Sequence, residues 1–246
     1  MRRIAIASAK GGTGKTTTAV SLAHALALSG RSVVLVDCDP KSHVGASFGI
    51  SPRPGVAALL GGGTADLIEV RAGLQVLTSG GLALLEAETR LAGQPGAGKK
   101  LRQALACLPN ADYVLLDCAP GLGLLHLSAL TASDEIVLPV AADFLSLAGA
   151  HQMLASLQAL PKSGWVRPRL LGLLPTFCDA EAGNLVDFEA TLQQEFAGQV
   201  LQARIHHCTA IPASPPRART IFEWDPLSSG AFDYVLLAEE IEGLAA

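Results

Sequence analysis

The stretch ASAKGGTGKTT, residues 7–17, joins an apolar run to a segment with helical periodicity. It contains three glycines, which can adopt the backbone conformations that let several N–H groups converge on phosphate oxygens. In a loop of this kind Lys15 reaches the β- and γ-phosphates, and the hydroxyl of Thr16 ligates Mg²⁺. The stretch therefore predicts a site for a nucleoside triphosphate and its metal ion.

The strict phosphate-loop pattern, G-x-x-x-x-G-K-[ST], does not select this stretch, because Ala9 stands where the pattern requires glycine. A second stretch, GQPGAGKK at residues 93–100, does satisfy G-x-x-x-x-G-K. However, Lys100 occupies its metal-binding position and no apolar strand leads into it. We interpret the second stretch as a flexible loop. The first stretch remains the candidate phosphate-binding loop, because a strand precedes it and a helix follows it.

The segments around the loop alternate between strand-like and helix-like patterns. Residues 3–8 (RIAIAS) and 32–36 (SVVLV) are apolar strand candidates, and the helix predicted over residues 15–29 connects them. Continuous apolar strands that alternate with helices indicate a parallel sheet covered on both faces. The sequence therefore predicts an α/β fold with a doubly wound, mostly parallel sheet, the fold of a P-loop NTPase, in a single domain over residues 1–246.

The same alternation continues to the end of the chain. Further strands are predicted at residues 74–78, 113–116, 135–140 and 169–174. Further helices are predicted near residues 123–131, 147–160, 185–196 and 230–242. Residues 51–63 are rich in glycine and proline and are interpreted as loop.

Acidic residues end two of the predicted strands. Asp117 follows residues 113–116, and both Asp37 and Asp39 follow the second strand. Because ligand groups gather at the carboxyl ends of strands in doubly wound sheets, Asp117 is expected to hold the water shell of Mg²⁺. Asp39 is available to position or polarise the attacking water, and we count it with Thr16 and Asp117 as a candidate metal residue. The alternative role for each carboxylate is a helix N-cap or a loop contact.

The composition excludes several other classes of protein. The net charge of −4 argues against a generally basic nucleic-acid binder. Apolar runs are far shorter than the roughly 18 to 20 residues of a membrane-spanning helix, and the first residues lack the pattern of a secretory signal. Five widely spaced cysteines indicate buried reduced thiols rather than disulfides or a zinc site. We expect a cytoplasmic protein.

Three motifs together resemble those of the ParA/MinD family of deviant-Walker-A ATPases. The family loop, KGGxGKT[TS], is matched by residues 10–17, its D-x-D-P motif by residues 37–40, and its D-x-x-P motif by residues 117–120. Residues 172–176 and 223–226 also look like late ParA motifs. The resemblance covers nearly the whole chain and is strongest to the ParA (Soj) branch.

The resemblance implies an ATPase that uses ATP and Mg²⁺, dimerises with ATP and positions DNA or a protein cargo. Lys10 would cross to the phosphates of the partner subunit, and basal turnover would be weak until a ParB-like or other adaptor protein stimulates it. The catalytic residues would be Lys10, Lys15 and Asp39. The nucleotide-binding residues would be Lys10, Gly11, Gly12, Thr13, Gly14, Lys15, Thr16 and Thr17, with Thr176 and Pro212 beside the adenine. The cargo could be a plasmid, a chromosome, a chemoreceptor array or a carboxysome.

Two departures from the family concern DNA. His206 and His207 stand where ParA proteins usually have Pro-Arg, and Glu223 stands where an arginine often precedes the Tyr-Asp-Pro motif. Both missing arginines contribute to non-specific DNA binding in the family. Residues 196–222, however, contain no Asp or Glu, and three arginines there form a candidate shifted patch that would make the ATP-bound protein nucleoid-associated. These are Arg204, Arg217 and Arg219. The alternative is an ordinary proline-rich surface loop.

Two other functions are weighed against this one. One is a MinD-like membrane regulator, or another ATP-gated switch that binds protein and not DNA, and either would share the loop. Against the membrane regulator, the tail at residues 239–246 is acidic and would be repelled by anionic lipid. We therefore expect no membrane partner. An ATP-driven electron or metal donor would need cysteines placed to bridge a dimer, and Cys118 is the one candidate near the loop.

Overall fold

A computed structural model describes residues 1–51, 53–159, 167–179 and 185–244. The strands are β1 (Arg2–Ile6), β2 (Val33–Cys38), β3 (Ile68–Arg71), β4 (Leu74–Leu77), β5 (Tyr113–Cys118), β6 (Glu135–Ala141), β7 (Arg169–Cys178) and β8 (Ile205–His206). The helices are α1 (Lys15–Leu28), α2 (His43–Ser47), α3 (Gly55–Leu60), α4 (Leu82–Leu91), α5 (Ala97–Ala104), α6 (Leu124–Ala132), α7 (Phe144–Ala159), α8 (Leu185–Glu195), α9 (Ala210–Ala213), α10 (Ile221–Trp224) and α11 (Ser229–Gly243).

The eight strands of the described chain form one sheet in the order β3-β4-β2-β5-β1-β6-β7-β8. Every pairing is parallel except the one between β3 and β4. β1, which leads into the glycine-rich loop, lies between β5 and β6, so the loop emerges at the middle of the sheet. The predicted doubly wound, mostly parallel sheet is confirmed.

Helices cover both faces of this sheet. Along β1, Ile4 and Ile6 pack in one apolar cluster with α1 and α11, whereas Ala5 packs in the opposite cluster with α3 to α7. Successive side chains of a strand point to opposite faces, so a strand that is apolar throughout must be covered twice. The central strands are buried along nearly their whole length for this reason.

Several strands extend further than their apolar runs predict, and two of them reach an acidic residue. β2 and β5 include Asp37 and Asp117, which are paired in register as neighbours. The strand ladder is made by the backbone, so it continues past the last apolar side chain. Consequently the two carboxylates lie side by side and buried at the carboxyl end of the sheet.

Some interpretations of irregular segments were wrong. Residues 51–63 include the helix α3, and the second glycine-rich stretch turns at Gly96 and continues as α5, which contains Lys99 and Lys100. That stretch follows the helix α4 and not a strand, so its two lysines are exposed on a helix and away from any strand end. The edge strand β3 was not predicted, because its four residues are half-buried or exposed and carry little apolar pattern. Leu160, the predicted end of one helix, and the last two residues of the acidic tail lie outside the described residues.

Two further expectations concern membranes and cysteines. Among the described residues, no helix has both the length and the apolar character needed to cross a bilayer. Cys38, Cys118 and Cys178 are buried as expected, but Cys107 is exposed and Cys208 is half-buried. The expectation that all five thiols are buried was therefore wrong.

Candidate functional site

The loop between β1 and α1 has the backbone of a phosphate-binding loop. Gly12 and Gly14 have φ of 78° and 86°, in the left-handed region that side chains rarely adopt. Gly14 precedes α1, and its carbonyl accepts the N–H of Thr18 at 2.8 Å as the helix begins. The free N–H groups of this first turn give the loop its affinity for anions.

Lys15 lies at the floor of the loop. Its side chain is buried, and Nζ donates a hydrogen bond to the carbonyl of Lys10 at 2.8 Å. Burial lowers the pKa of Lys15, while the nearby charge of Asp117 acts in the opposite direction. Among the described residues, the Lys10 carbonyl is the one hydrogen-bond acceptor of this buried ammonium group. The group is therefore ready to bind an incoming anion.

The loop and the segments that follow β2 and β5 line a pocket of about 270 Å³. Its walls bring together most of the residues predicted to bind phosphate and metal and add two that the sequence did not indicate, Lys41 and His43. The lining residues are Gly11, Gly12, Gly14, Lys15, Thr16, Thr17, Asp39, Lys41, His43 and Pro120. We call this space the phosphate pocket.

Three carboxylates lie on or beneath the phosphate pocket. Burial raises the pKa of Asp117 to about 7, although the hydroxyl of Thr16 and the charge of Lys15 oppose this rise. Burial and the charge of Asp117 raise the pKa of Asp37 well above its usual range. Asp37 Oδ1 accepts the N–H of Asp39 at 3.0 Å, so it holds the turn that places Asp39 in the pocket wall.

The donor set fits Mg²⁺ bound together with a nucleotide. Within the described residues, neither carboxylate oxygen of the buried Asp117 has a well-formed hydrogen bond. Unsatisfied buried oxygens beside the Thr16 hydroxyl suit a hard cation and its water ligands. The described residues hold no group of three or more His, Cys, Asp or Glu that could form a metal cage. Mg²⁺ usually needs only one or two protein ligands when phosphates supply the rest.

Lys10 points to the rim of the site and away from the phosphate pocket. Its Nζ is 2.7 and 2.9 Å from the two carboxylate oxygens of Asp143 and 3.2 Å from Ser146 Oγ. The stem of Lys10 passes over Gly149, where an added Cβ would be 3.5 Å from Lys10 Cβ. Asp143 lies two residues after the end of β6, and its carboxylate also accepts the N–H of Ser146 at the start of α7. We call this contact the Lys10–Asp143 pair.

A second, more apolar pocket of about 220 Å³ opens beside the loop. Thr176 and Pro212, the residues predicted beside the adenine, both line it, together with Phe177, His206 and His207. The Thr176 hydroxyl donates to the carbonyl of Thr13 at 3.0 Å, so it also ties β7 to the loop. Thus the histidines that replace Pro-Arg line this pocket. We call it the base pocket.

The three arginines of the proposed patch differ in their surroundings. Arg204 is paired with Glu189 at 3.1 Å, so its charge is neutralised locally. Arg217 lies over the ring of Trp224, with the guanidinium carbon 4.2 Å from the ring centroid, and is exposed. Arg219 is exposed two residues further on. The loop therefore presents two arginines to solvent from the same turn.

Glu223, which stands in place of a family arginine, has a structural role. Its carboxylate binds the guanidinium of Arg71 at 2.6 and 2.8 Å and accepts the N–H of Thr220 at 2.9 Å. Arg71 also donates to the carbonyl of Ala218. These contacts fasten the arginine-bearing turn to the edge strand β3, which fixes its position.

Cys118 does not support the electron-donor alternative. Its thiol is 1% exposed, and burial raises its pKa. A side chain enclosed in the sheet is not placed to bridge two subunits.

A glycine-rich loop follows the central strand β1, and a buried lysine and strand-end carboxylates surround it. This arrangement identifies a P-loop nucleoside triphosphatase. The AAA_31 family model, described as an AAA domain, matches residues 1–170. Together with its curated relatives, this shows that the chain belongs to the ParA/MinD family of P-loop ATPases. The family named from the sequence motifs is confirmed.

Two relatives and one solved structure illustrate the similarity. The chain is 38% identical to the chromosome-partitioning ATPase Soj of Thermus thermophilus, over 98% of this chain and 95% of that protein. It is 33% identical to the sporulation initiation inhibitor protein Soj of Bacillus subtilis, over 97% of each. The structure of cobyrinic acid a,c-diamide synthase from Mycobacterium smegmatis with bound ADP and magnesium superposes with a TM-score of 0.83 at 30% identity, covering 97% of this chain and 92% of that one.

Proposed function

We propose that this protein is an ATP-dependent dimerising ATPase of the ParA/Soj partitioning type that positions a DNA or protein cargo. In this account ATP and Mg²⁺ occupy the phosphate pocket, and an adaptor protein stimulates a slow basal turnover. The ATP-bound dimer binds non-specific DNA and is thereby held on the nucleoid. Family membership and the fit of the pocket to a nucleotide and its metal support the ATPase part of the proposal.

Each residue of the site has a distinct task in this proposal. Lys15 and the N–H groups of the loop bind and orient the phosphates, while the base pocket excludes water from the nucleoside. Thr16 and Asp117 hold Mg²⁺, which neutralises charge on the phosphates when it is bound. Asp39 accepts a hydrogen bond from, and so orients, the water that attacks the terminal phosphate.

The single observation that carries the dimer proposal is the position of Lys10. Its ammonium group lies outside the phosphate pocket of its own subunit, on a face that also exposes Phe144 and Leu145. A cation and two apolar side chains at the rim of a nucleotide site form a surface suited to contact with a second copy of the chain. Delivery of Lys10 to the partner subunit requires that the Lys10–Asp143 pair first break.

Asp143→Asn should therefore strengthen ATP-dependent dimerisation. Asparagine keeps an acceptor for the Ser146 N–H but removes the charge that holds Lys10. A partly exposed pair contributes up to about 1 kcal/mol, so two pairs per dimer allow a decrease in the dimer dissociation constant of at most about 30-fold. Analytical ultracentrifugation with a slowly hydrolysed ATP analogue measures this constant.

Asp134→Asn is the matched control for that experiment. Asp134 pairs with Arg102 at 3.0 Å, its side chain is 43% exposed against 42% for Asp143, and it lies at the other end of β6. The control should leave the dimer constant unchanged. A weaker dimer in Asp143→Asn alone would mean that Asp143 itself builds the interface.

DNA binding is proposed for the turn that carries Arg217 and Arg219. Binding to a short duplex of arbitrary sequence should require ATP and should weaken with salt. Four exposed arginines per dimer predict a log–log salt slope of about −3.6. Fluorescence polarisation with ATP, with ADP and without nucleotide measures both effects, and Arg217→Ala/Arg219→Ala should abolish most of the binding.

Arg90→Ala/Lys99→Ala is the control for loss of charge alone, since it removes two exposed basic residues that lie on other parts of the surface. An equal loss of DNA affinity in both double variants would show that binding is spread over the surface. It would contradict the assignment of DNA binding to this turn. If no nucleotide state of the wild type binds DNA while ATP-dependent dimers still form, the target of the dimer is a protein.

A further inference from the structure

Lys41 belongs to a turn that is closely tied to Asp39. The N–H of Lys41 donates to Asp39 Oδ1 at 3.0 Å, and the N–H of Ser42 donates to the carbonyl of Asp39 at 3.0 Å. Ser42 adopts a left-handed φ of 57°, and its hydroxyl is hydrogen-bonded to that of Ser79. The turn that positions the carboxylate for hydrolysis therefore also fixes the backbone of Lys41.

The side chain of Lys41 lines the phosphate pocket and is exposed. Burial is the main cause that lowers the pKa of Lys15, and the charge of Lys41 lowers it further. Two cations that repel each other across an open pocket are both stabilised when an anion enters between them. Among the described residues, Lys41 makes no ion pair, so its charge is available for such an anion.

The distribution of charge makes Lys41 distinct from Lys10. Lys10 is engaged by Asp143 at the rim, whereas Lys41 lies on the same wall as Asp39. Lys15 and Lys41 are thus the two lysines that line the phosphate pocket of one subunit. Because Lys15 lies at the floor, Lys41 is the cation on the side where a third phosphate would extend towards Asp39.

We propose that Lys41 is a specificity-determining residue that binds the terminal phosphate of ATP within its own subunit and so makes the pocket prefer ATP to ADP. This inference rests on the proposed function, because it takes the pocket as the site of ATP. It gives the isolated subunit a means of distinguishing the two nucleotides before any second subunit delivers Lys10.

The test compares the affinities of ADP and of a slowly hydrolysed ATP analogue, both with Mg²⁺, in wild type, Lys41→Ala and Lys41→Gln. Fluorescent nucleotides allow protein concentrations well below those at which a dimer forms. Each alanine or glutamine variant should bind ADP within about twofold of wild type and the ATP analogue at least about fivefold more weakly, as expected for loss of one charged hydrogen bond. Lys41→Arg should keep most of the preference.

Lys99→Ala is the matched control, because Lys99 is an exposed lysine on α5 outside both pockets. It should leave both affinities unchanged. An unchanged ratio of the two affinities in Lys41→Ala and Lys41→Gln would overturn the inference, as would a change that is seen only when the dimer is present. Failure of the wild type to bind either nucleotide would instead overturn the proposed function.

Discussion

Lys15→Ala should lower the affinity for ATP and for ADP by at least about 100-fold, which corresponds to the loss of a buried, charge-assisted hydrogen-bond donor at the phosphates. The side chain of Lys15 is buried and lies at the floor of the pocket. Its removal leaves Asp117 without the buried cation whose charge acts on it, so the remaining negative charge would repel phosphate. Isothermal titration calorimetry with Mg-ADP measures the affinity directly.

The second glycine-rich stretch supplies the matched control for Lys15→Ala. Lys99 occupies the lysine position of the strict phosphate-loop pattern, but it is exposed on the helix α5. Lys99→Ala should therefore bind nucleotide as the wild type does. Normal nucleotide affinity in Lys15→Ala would show that the site has been assigned to the wrong loop.

Asp39→Ala should hydrolyse ATP about 100-fold more slowly than the wild type while it still binds ATP and dimerises. Asp39 lines the phosphate pocket, where the backbone N–H of Lys41 donates to one of its carboxylate oxygens. Loss of the carboxylate removes the group that orients and polarises water but leaves the loop and Lys15 intact. Release of inorganic phosphate measured under single-turnover conditions separates this step from nucleotide exchange.

Asp39→Asn distinguishes the charge of the side chain from its shape. Asparagine retains an oxygen that can accept the Lys41 N–H, so the turn should keep its conformation. It should nevertheless be as slow as Asp39→Ala if the negative charge is what activates water. Wild-type turnover in both variants would remove Asp39 from the mechanism.

Much of the fold could be predicted from the sequence, because buried parallel strands have short apolar runs and glycines indicate the loop between β1 and α1. The phosphate pocket followed for the same reason, since Lys15, Thr16 and Asp117 occupy fixed positions relative to those runs. The edge strand β3 and the helix α3 did not follow, because their residues are half-buried or lie among glycines and prolines. Local pattern is weak where only one side of an element is covered.

The residues missed in the site depend on long-range contacts. Asp143 follows β6, so the strand-end rule that selected Asp117 would also have indicated it, but its pairing with Lys10 joins residues 133 positions apart. Phe177 lines the base pocket in a left-handed conformation that no local pattern of sequence specifies. In the sequence, Lys41 does not differ from an ordinary surface lysine. Only the turn after Asp39 shows that it lines the same pocket as Lys15.

The central claim is that ATP joins two copies of this chain and that Lys10 of each copy completes the site of the other. The most direct measurement is the molar mass in solution with a slowly hydrolysed ATP analogue and with ADP, for wild type and Lys10→Ala. The account predicts a dimer only for wild type with the ATP analogue, and a monomer for Lys10→Ala that still binds the nucleotide. A wild-type monomer with the nucleotide fully bound, or a dimer that forms equally well in Lys10→Ala, would contradict it.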